Sequence, residues 1–127
     1  YQVYKVLIMT DMRIAFIVMR EVCLNNRKAL LWVDYIGELT SIPKLSAFFD
    51  GILQNIDYEF IDCLCSGVDD KIFEQLGFLK KNHEGPIVIP SYYEPFMQKN
   101  IKIHYEKSAQ HQILFKGDAD ADRPSLR

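Results

Sequence analysis

The sequence predicts a mixed α/β fold. One sheet combines an antiparallel meander with a single parallel strand–helix–strand crossover. Three observations carry that expectation. The first 37 residues hold three apolar runs split by short polar turns. The apolar period then changes from strand-like to helical in "KLSAFFDGILQNI". A further strand-like run, "YEFIDCLCSG", follows that helix directly, so strands three and four should be parallel.

Each element has a local reason. "YKVLIM" and "RIAFIVMREV" read as strands joined by the polar "TDMR". Their apolar residues are nearly continuous, which predicts cover on both faces of that part of the sheet. "CLNNRK" reads as the next reversal, because Asn-Asn tolerates the left-handed backbone of a tight turn. "ALLWVDYIG" is the third strand, closed by Gly37. In the helix, Leu45, Phe48, Phe49, Ile52, Leu53 and Ile56 fall at i, i+3, i+4, i+7, i+8 and i+11, one apolar stripe. Ser41 is the expected N-cap, with Pro43 near the first turn, where a missing N–H costs nothing. Gly51 weakens the helix interior by about 1 kcal/mol relative to Ala, so packing must hold it.

"VDDKIFEQLGF" predicts a second helix. Asp69 and Asp70 suit its N-terminus, Val68, Ile72, Phe73 and Leu76 form the buried stripe, and Gly77 terminates it. "FLKK", "GPIVIP", "NIKIHYE" and "QHQILFKG" read as short strands, with a helical turn over Tyr92 to Met97. No internal repeat or low-complexity segment interrupts the chain.

Bulk composition narrows the function. The chain has 127 residues, one domain's worth, and 49% apolar and 25% charged residues are ordinary for a globular protein. A net charge of -2 gives no electrostatic reason for a nucleic-acid or anionic-membrane partner. "RIAFIVM" is far too short to span a bilayer. Cys23, Cys63 and Cys65 make an odd count without CxxC spacing, which points to reduced thiols and a cytoplasmic setting. The chain opens on Tyr1 with a strand under way by Val3, the expectation for the C-terminal part of a longer protein. A sheet begun in this way leaves an unpaired edge, to be covered by a second copy in a homodimer or by a missing N-terminal segment.

The element order from about Ala29 to Lys81 resembles the C-terminal half of the GCN5-related N-acetyltransferase superfamily. "KIFEQLGFLKK" looks like that superfamily's last helix, its Gly-Phe and the following strand. The ending "GDADADRP" resembles the tail of little-characterised members encoded among bacterial surface-polysaccharide genes. The resemblance implies acyl transfer from a coenzyme A thioester, acetyl-CoA or another acyl-CoA, to an amine or hydroxyl of a small molecule. A nucleotide sugar is one candidate acceptor. In that superfamily two parallel strands splay apart around the pantetheine arm, and the pyrophosphate rests on N–H groups opening the crossover helix. The matching loop here is "YIGELTSIPK", so Tyr35, Ile36, Gly37, Thr40 and Ser41 are the implied cofactor-binding positions.

The loop also departs from the pattern. It has one glycine, bulky Leu39 and Ile42, and an acidic Glu38 that would repel phosphate. Phe73 stands where the superfamily often has a proton-donating tyrosine, and Ser66 where it has an asparagine. A non-catalytic binding or assembly module that kept the fold and lost the cofactor loop is therefore the alternative.

Among individual side chains, Asp34 and Asp62 each sit near the carboxyl end of neighbouring parallel strands, where ligands of open α/β sheets bind. A partly desolvated carboxylate there can act as a general base; the competing reading is a bond to local backbone or a tyrosine hydroxyl. Cys63 and Cys65 share a strand face. A nucleophilic or metal role would need one of His83, His104 or His111, all in the later half, so burial is favoured. Tyr92 and Tyr93 sit in a Pro-bounded loop and either line an acceptor pocket, stacking on a sugar, or pack the loop down. Asp118, Asp120 and Asp122 match the first half of a calcium loop, but Arg123 takes the glycine position and the chain stops before the required glutamate. Two readings remain: a looser divalent-cation site, or Asp122 and Arg123 pairing or capping turns while Pro124 stops the strand.

Overall fold

The computed structural model describes residues 2–8, 12–24, 26–55, 58–82, 84–88, 100, 104–106, 108 and 112–119. The elements run β1 (Gln2–Ile8), β2 (Arg13–Leu24), β3 (Arg27–Ile36), a 3₁₀ helix (Leu39–Leu45), α1 (Ser46–Asn55), β4 (Phe60–Cys63), β5 (Cys65–Ser66), α2 (Asp70–Gln75), β6 (Leu114–Phe115) and a second 3₁₀ helix (Lys116–Ala119). The fold is mixed α/β as expected. β1 to β4 form a four-stranded sheet in chain order, and β5 pairs with β6 in a separate two-stranded one.

β1–β2 and β2–β3 are antiparallel, and β3–β4 is parallel from Ala29↔Phe60 to Trp32↔Cys63. At the β2–β3 reversal Asn26 adopts φ 62°, the left-handed turn its sequence suggests. The crossover from β3 to β4 holds both the 3₁₀ helix and α1. Tyr58, just before β4, donates its hydroxyl to Glu21 Oε2 at 2.8 Å, tying the end of the crossover to β2. Burial first, then that bond, pushes the Tyr58 hydroxyl up to about 12.

Trp32 is the centre of the core, with none of its surface exposed. Its ring meets Phe49 of α1, Phe73 of α2, Phe78 and Phe115 at centroid separations of 5.1 to 6.1 Å. Both helices therefore cover the same face of the sheet. Ile17, Met19 and Leu30 lie buried on that face with it. The opposite face of β1 and β2 corrects the expectation of double cover: Val3, Leu7, Ile14 and Phe16 are exposed. Their apolar character signals a second buried face, yet among the described residues both helices lie on the other side. Only β3 is buried through both faces, from Ala29 to Val33.

α2 follows its local signals closely. The Asp69 carboxylate accepts Lys71 N–H at 3.0 Å as the N-cap. At the other end Gly77 has φ 82°, its N–H donates to Glu74 O and that of Phe78 to Phe73 O. That double bond is the Schellman arrangement, and the Phe73–Phe78 ring contact at 5.9 Å is its accompanying apolar clasp.

The first crossover helix starts differently from expectation. Its first turn is 3₁₀, with Glu38 rather than Ser41 at the N-cap position. Ile42 and Leu45, three apart, are both fully buried, and three residues is the 3₁₀ period. Leu53 of the expected stripe is exposed. Phe78–Lys81 and Gly85–Val88 do not form strands, and Leu79 is 91% exposed. Among the described residues of "QHQILFKG" only Leu114–Phe115 is a strand, and Asn100 and His104–Glu106 of "NIKIHYE" are not in one. Apolar alternation there lacks a neighbouring edge to pair with among the described residues. Tyr92 to Met97 lie outside the described residues.

Candidate functional site

The parallel pair diverges after Trp32 and Cys63. β3 carries on to Ile36 through an irregularity: Val18 pairs with Asp34 but Met19 with Trp32, so Val33 is an extra, bulged residue. β4 stops, and after Leu64 the chain re-forms as β5, paired with β6. The parallel pairing thus ends at Trp32 and Cys63, with β3 running on past it.

Beyond that point lies the chain's own later segment. Leu114 and Phe115 pair with Ser66 and Cys65 on one side. On the other, the Phe115 ring meets Trp32 at 5.7 Å and Tyr35 at 6.2 Å. Gly117 lies so close to β3 that a Cβ would sit 3.2 Å from both Val33 O and Val33 Cγ1. A side chain at 117 would have to push β3 or leave the gap, which is why glycine suits this position. Asp118 closes the turn by accepting Phe115 N–H at 2.8 Å. Of the alternating aspartates this one has a structural task; Asp120 and Asp122 lie outside the described residues. No group of three or more metal-ligating side chains occurs among the described residues.

The implied cofactor loop is committed to internal bonds. Tyr35 donates its hydroxyl to Glu38 O at 2.9 Å, and Ser41 N–H donates to the same oxygen at 2.9 Å. Burial, and then the Glu38 charge, push the Tyr35 hydroxyl up. Arg13 pairs with the Glu38 carboxylate and also donates to Thr40 Oγ1 at 3.2 Å. Ile36 is exposed, and Gly37 lies beneath the Tyr35 ring. Ser41 is buried and its hydroxyl has no partner among the described residues. A pyrophosphate needs several free N–H donors and no nearby carboxylate. Here one amide is already used, the Glu38 carboxylate stands in the loop paired with Arg13, and Phe115 and Gly117 lie against the continuing part of β3. The residues present do not fit coenzyme A.

The two candidate carboxylates are not brought together. Asp34 lies on the diverging part of β3, where its Oδ1 accepts Tyr35 N–H at 2.7 Å; Trp32 Nε1 donates to Asp34 O at 3.0 Å. Its local backbone bond is the structural alternative weighed from the sequence. Asp62 pairs in register with Leu31, inside the parallel segment. Burial pushes its carboxyl up, while the charges of Lys116 and Lys81 and a bond from Cys63 N–H pull it partly back. Tyr92 and Tyr93 lie outside the described residues.

Asp62 opens into a groove of about 710 Å³ along the outer edge of β4. Phe60, Cys63 and Cys65 line its strand side, Phe73 and Leu76 its helix side, and Lys81 its rim. Lys80, which lines the same groove, pairs with Asp70. An apolar cleft with a few converging polar groups is the usual form of a small-molecule site. Lys116 and Gly117 carry no sequence signal for this role, because their neighbours on β3 and β4 are far away along the chain.

No family model, curated protein or solved structure matches this chain. No helix among the described residues is long and apolar enough to cross a membrane.

Proposed function

We propose that this chain is a non-catalytic binding or assembly module, with the backbone order of an N-acetyltransferase half but without its coenzyme A site. The observation that supports this reading is that Phe115 and Gly117 lie against Tyr35, Val33 and Asp34, where the resemblance would call for a pantetheine arm. The groove beside β4 would take a small molecule whose amine or hydroxyl donates to Asp62, with aromatic and aliphatic walls supplying most of the contact. The exposed apolar face of β1 and β2 supports the assembly half of the reading.

Calorimetric titration with acetyl-CoA tests it directly. The expected result is no heat at high micromolar cofactor; saturable binding overturns the proposal. Light scattering on the purified chain addresses assembly, where a second copy would double the mass.

A second reading has its own observation. Asp62 is a desolvated carboxylate beside a cleft at a strand's carboxyl end, the setting in which a general base works. On that reading the chain is an acyltransferase acting on a small-molecule amine or hydroxyl, with a sugar among the acceptors, and Asp62 takes the acceptor's proton. It requires the 114–119 segment to leave β3. Thioester-dependent release of free thiol, abolished in Asp62→Asn, would establish it.

A further inference from the structure

The sheet face turned away from the helices is apolar and open along its first two strands. Val3 and Leu7 on β1 and Ile14 and Phe16 on β2 are between 38% and 66% exposed. The ladder sets them in rows: Leu7 opposite Ile14, Lys5 opposite Phe16, and Val3 opposite Val18. β3 extends two of these rows, with Ile36 opposite Phe16 and Asp34 opposite Val18. Residues directly opposite in an antiparallel ladder share a face, so one surface carries them all. Arg20, half-buried further along β2, bounds the patch at that end. The exposed aliphatic and aromatic groups present on the order of several hundred Å², the upper range for one soluble chain. With the flanking Lys5, Val18 and Asp34 the face is of the order that a stable dimer takes from each partner, about 800 Å².

We propose that this face is a homodimer interface, on which a second copy stacks the same face about a two-fold axis running along β2. This interface rests on the assembly half of the proposed function and gives it a partner. The charges single out a second copy as the occupant: exposed Lys5 on β1 and half-buried Asp34 on β3 stand on opposite sides of β2, with apolar residues between. The axis lays β1 of each copy over β3 of the other, so both copies use the same patch. Phe16 meets the partner's Phe16 near the centre. Lys5 comes within reach of the partner's Asp34, and Asp34 within reach of the partner's Lys5, two opposite-charge pairs from one operation. A small tilt of the axis from β2 gives the angle of about 30° at which packed sheets cross. Ile36 ends β3 at the rim, where a contact adds little.

Stacking suits the residues better than joining the sheets edge to edge. β1 is an outer strand, and Lys5 is its middle residue. An antiparallel β1–β1 pairing centred there would set Lys5 against the partner's Lys5, and like charges directly opposite destabilise a ladder. A lysine on an outer strand is a common device against such pairing. Edge pairing would also leave Ile14 and Phe16 on β2 uncovered, whereas stacking covers them.

Sedimentation equilibrium from low to high micromolar chain tests the interface. The expected result is a reversible shift from the chain mass of 14.8 kDa to twice that value. Phe16→Ser should weaken the dimer by about tenfold or more, as loss of a central aromatic anchor does. Lys5→Glu should weaken it by a smaller factor that grows at low salt. An equimolar mixture of Lys5→Glu and Asp34→Lys chains should associate more tightly than either alone, because both charge pairs form again across the axis. A single chain mass throughout, a dimer indifferent to Phe16→Ser, or a mixture no tighter than its parts overturns the proposal. Asp34→Lys also removes the bond to Tyr35 N–H. If circular dichroism shows that variant unfolded, Phe16→Ser and Lys5→Glu decide. A monomer that also ignores acetyl-CoA removes this interface and leaves a binding module; saturable acetyl-CoA binding removes the module reading whatever the mass.

Discussion

The two halves of β3 are held in different ways. From Ala29 to Trp32 the strand is hydrogen-bonded on both edges, to β2 and to β4, and covered by both helices. From Val33 to Ile36 it has lost β4, carries a bulge and ends exposed. β6 and the 3₁₀ helix after it stand in for the missing neighbour there, through Phe115 and Gly117. The first half is fixed by close packing around one large ring. In the second half the chain's own later residues, Phe115 and Gly117, pack beside the strand.

Breaking the first half should have the largest effect. Trp32→Ala removes the ring on which Phe49, Phe73, Phe78 and Phe115 converge. Urea unfolding should lose about 3–5 kcal/mol, enough to unfold a marginal domain outright. A loss under 1 kcal/mol would mean the core is centred elsewhere.

In the second half, Gly117→Val puts a branched side chain against Val33 O and Cγ1. The expected cost is about 1–3 kcal/mol by the same assay, with the near-ultraviolet signal of the Trp32 core largely kept. Equal loss of both signals would show that the halves are one cooperative unit.

The pH dependence of Asp62 sharpens the contrast, since this carboxylate belongs to the parallel register. Burial raises its folded pKa, so the folded chain keeps the proton to a higher pH than the unfolded chain. Its contribution to stability is therefore fully present below the unfolded value of about 3.9 and is lost as pH rises through the folded value. Asp62→Asn removes that slope. Stability of the parent minus that of the variant should fall from about pH 4 upward; a difference that grows with pH would show that Lys116 and Lys81 outweigh burial.

The smallest effect belongs to the end of β3. Ile36 is 61% exposed, so Ile36→Ser should change stability by no more than about 0.5 kcal/mol. A larger loss would reveal a covering partner and support assembly through this face.

The sequence was most legible where neighbours in the chain decide the structure. Asp69 as cap, Gly77 as terminator and Asn26 in the turn each act within a few residues, and all three stand as read. The parallel pairing of β3 and β4 was also readable, because a helix-length crossover leaves little choice of direction. Ser41 was misplaced because burial of Ile42 and Leu45 winds the first turn as 3₁₀ and shifts the cap to Glu38. The later strands were over-read. Alternation in "FLKK" and "GPIVIP" describes what a strand would look like but does not supply an edge to pair with.

The order of β1 to β4, the crossover and the ends of α2 were written in the sequence, because each follows from the period of apolar residues and from backbone groups that neighbours must satisfy. The tertiary structure alone decided that Phe115 and Gly117 meet β3 and that the Lys116 charge acts on Asp62. Both join residues dozens of positions apart. No local pattern encodes such contacts; they form only when the whole chain competes for the same space.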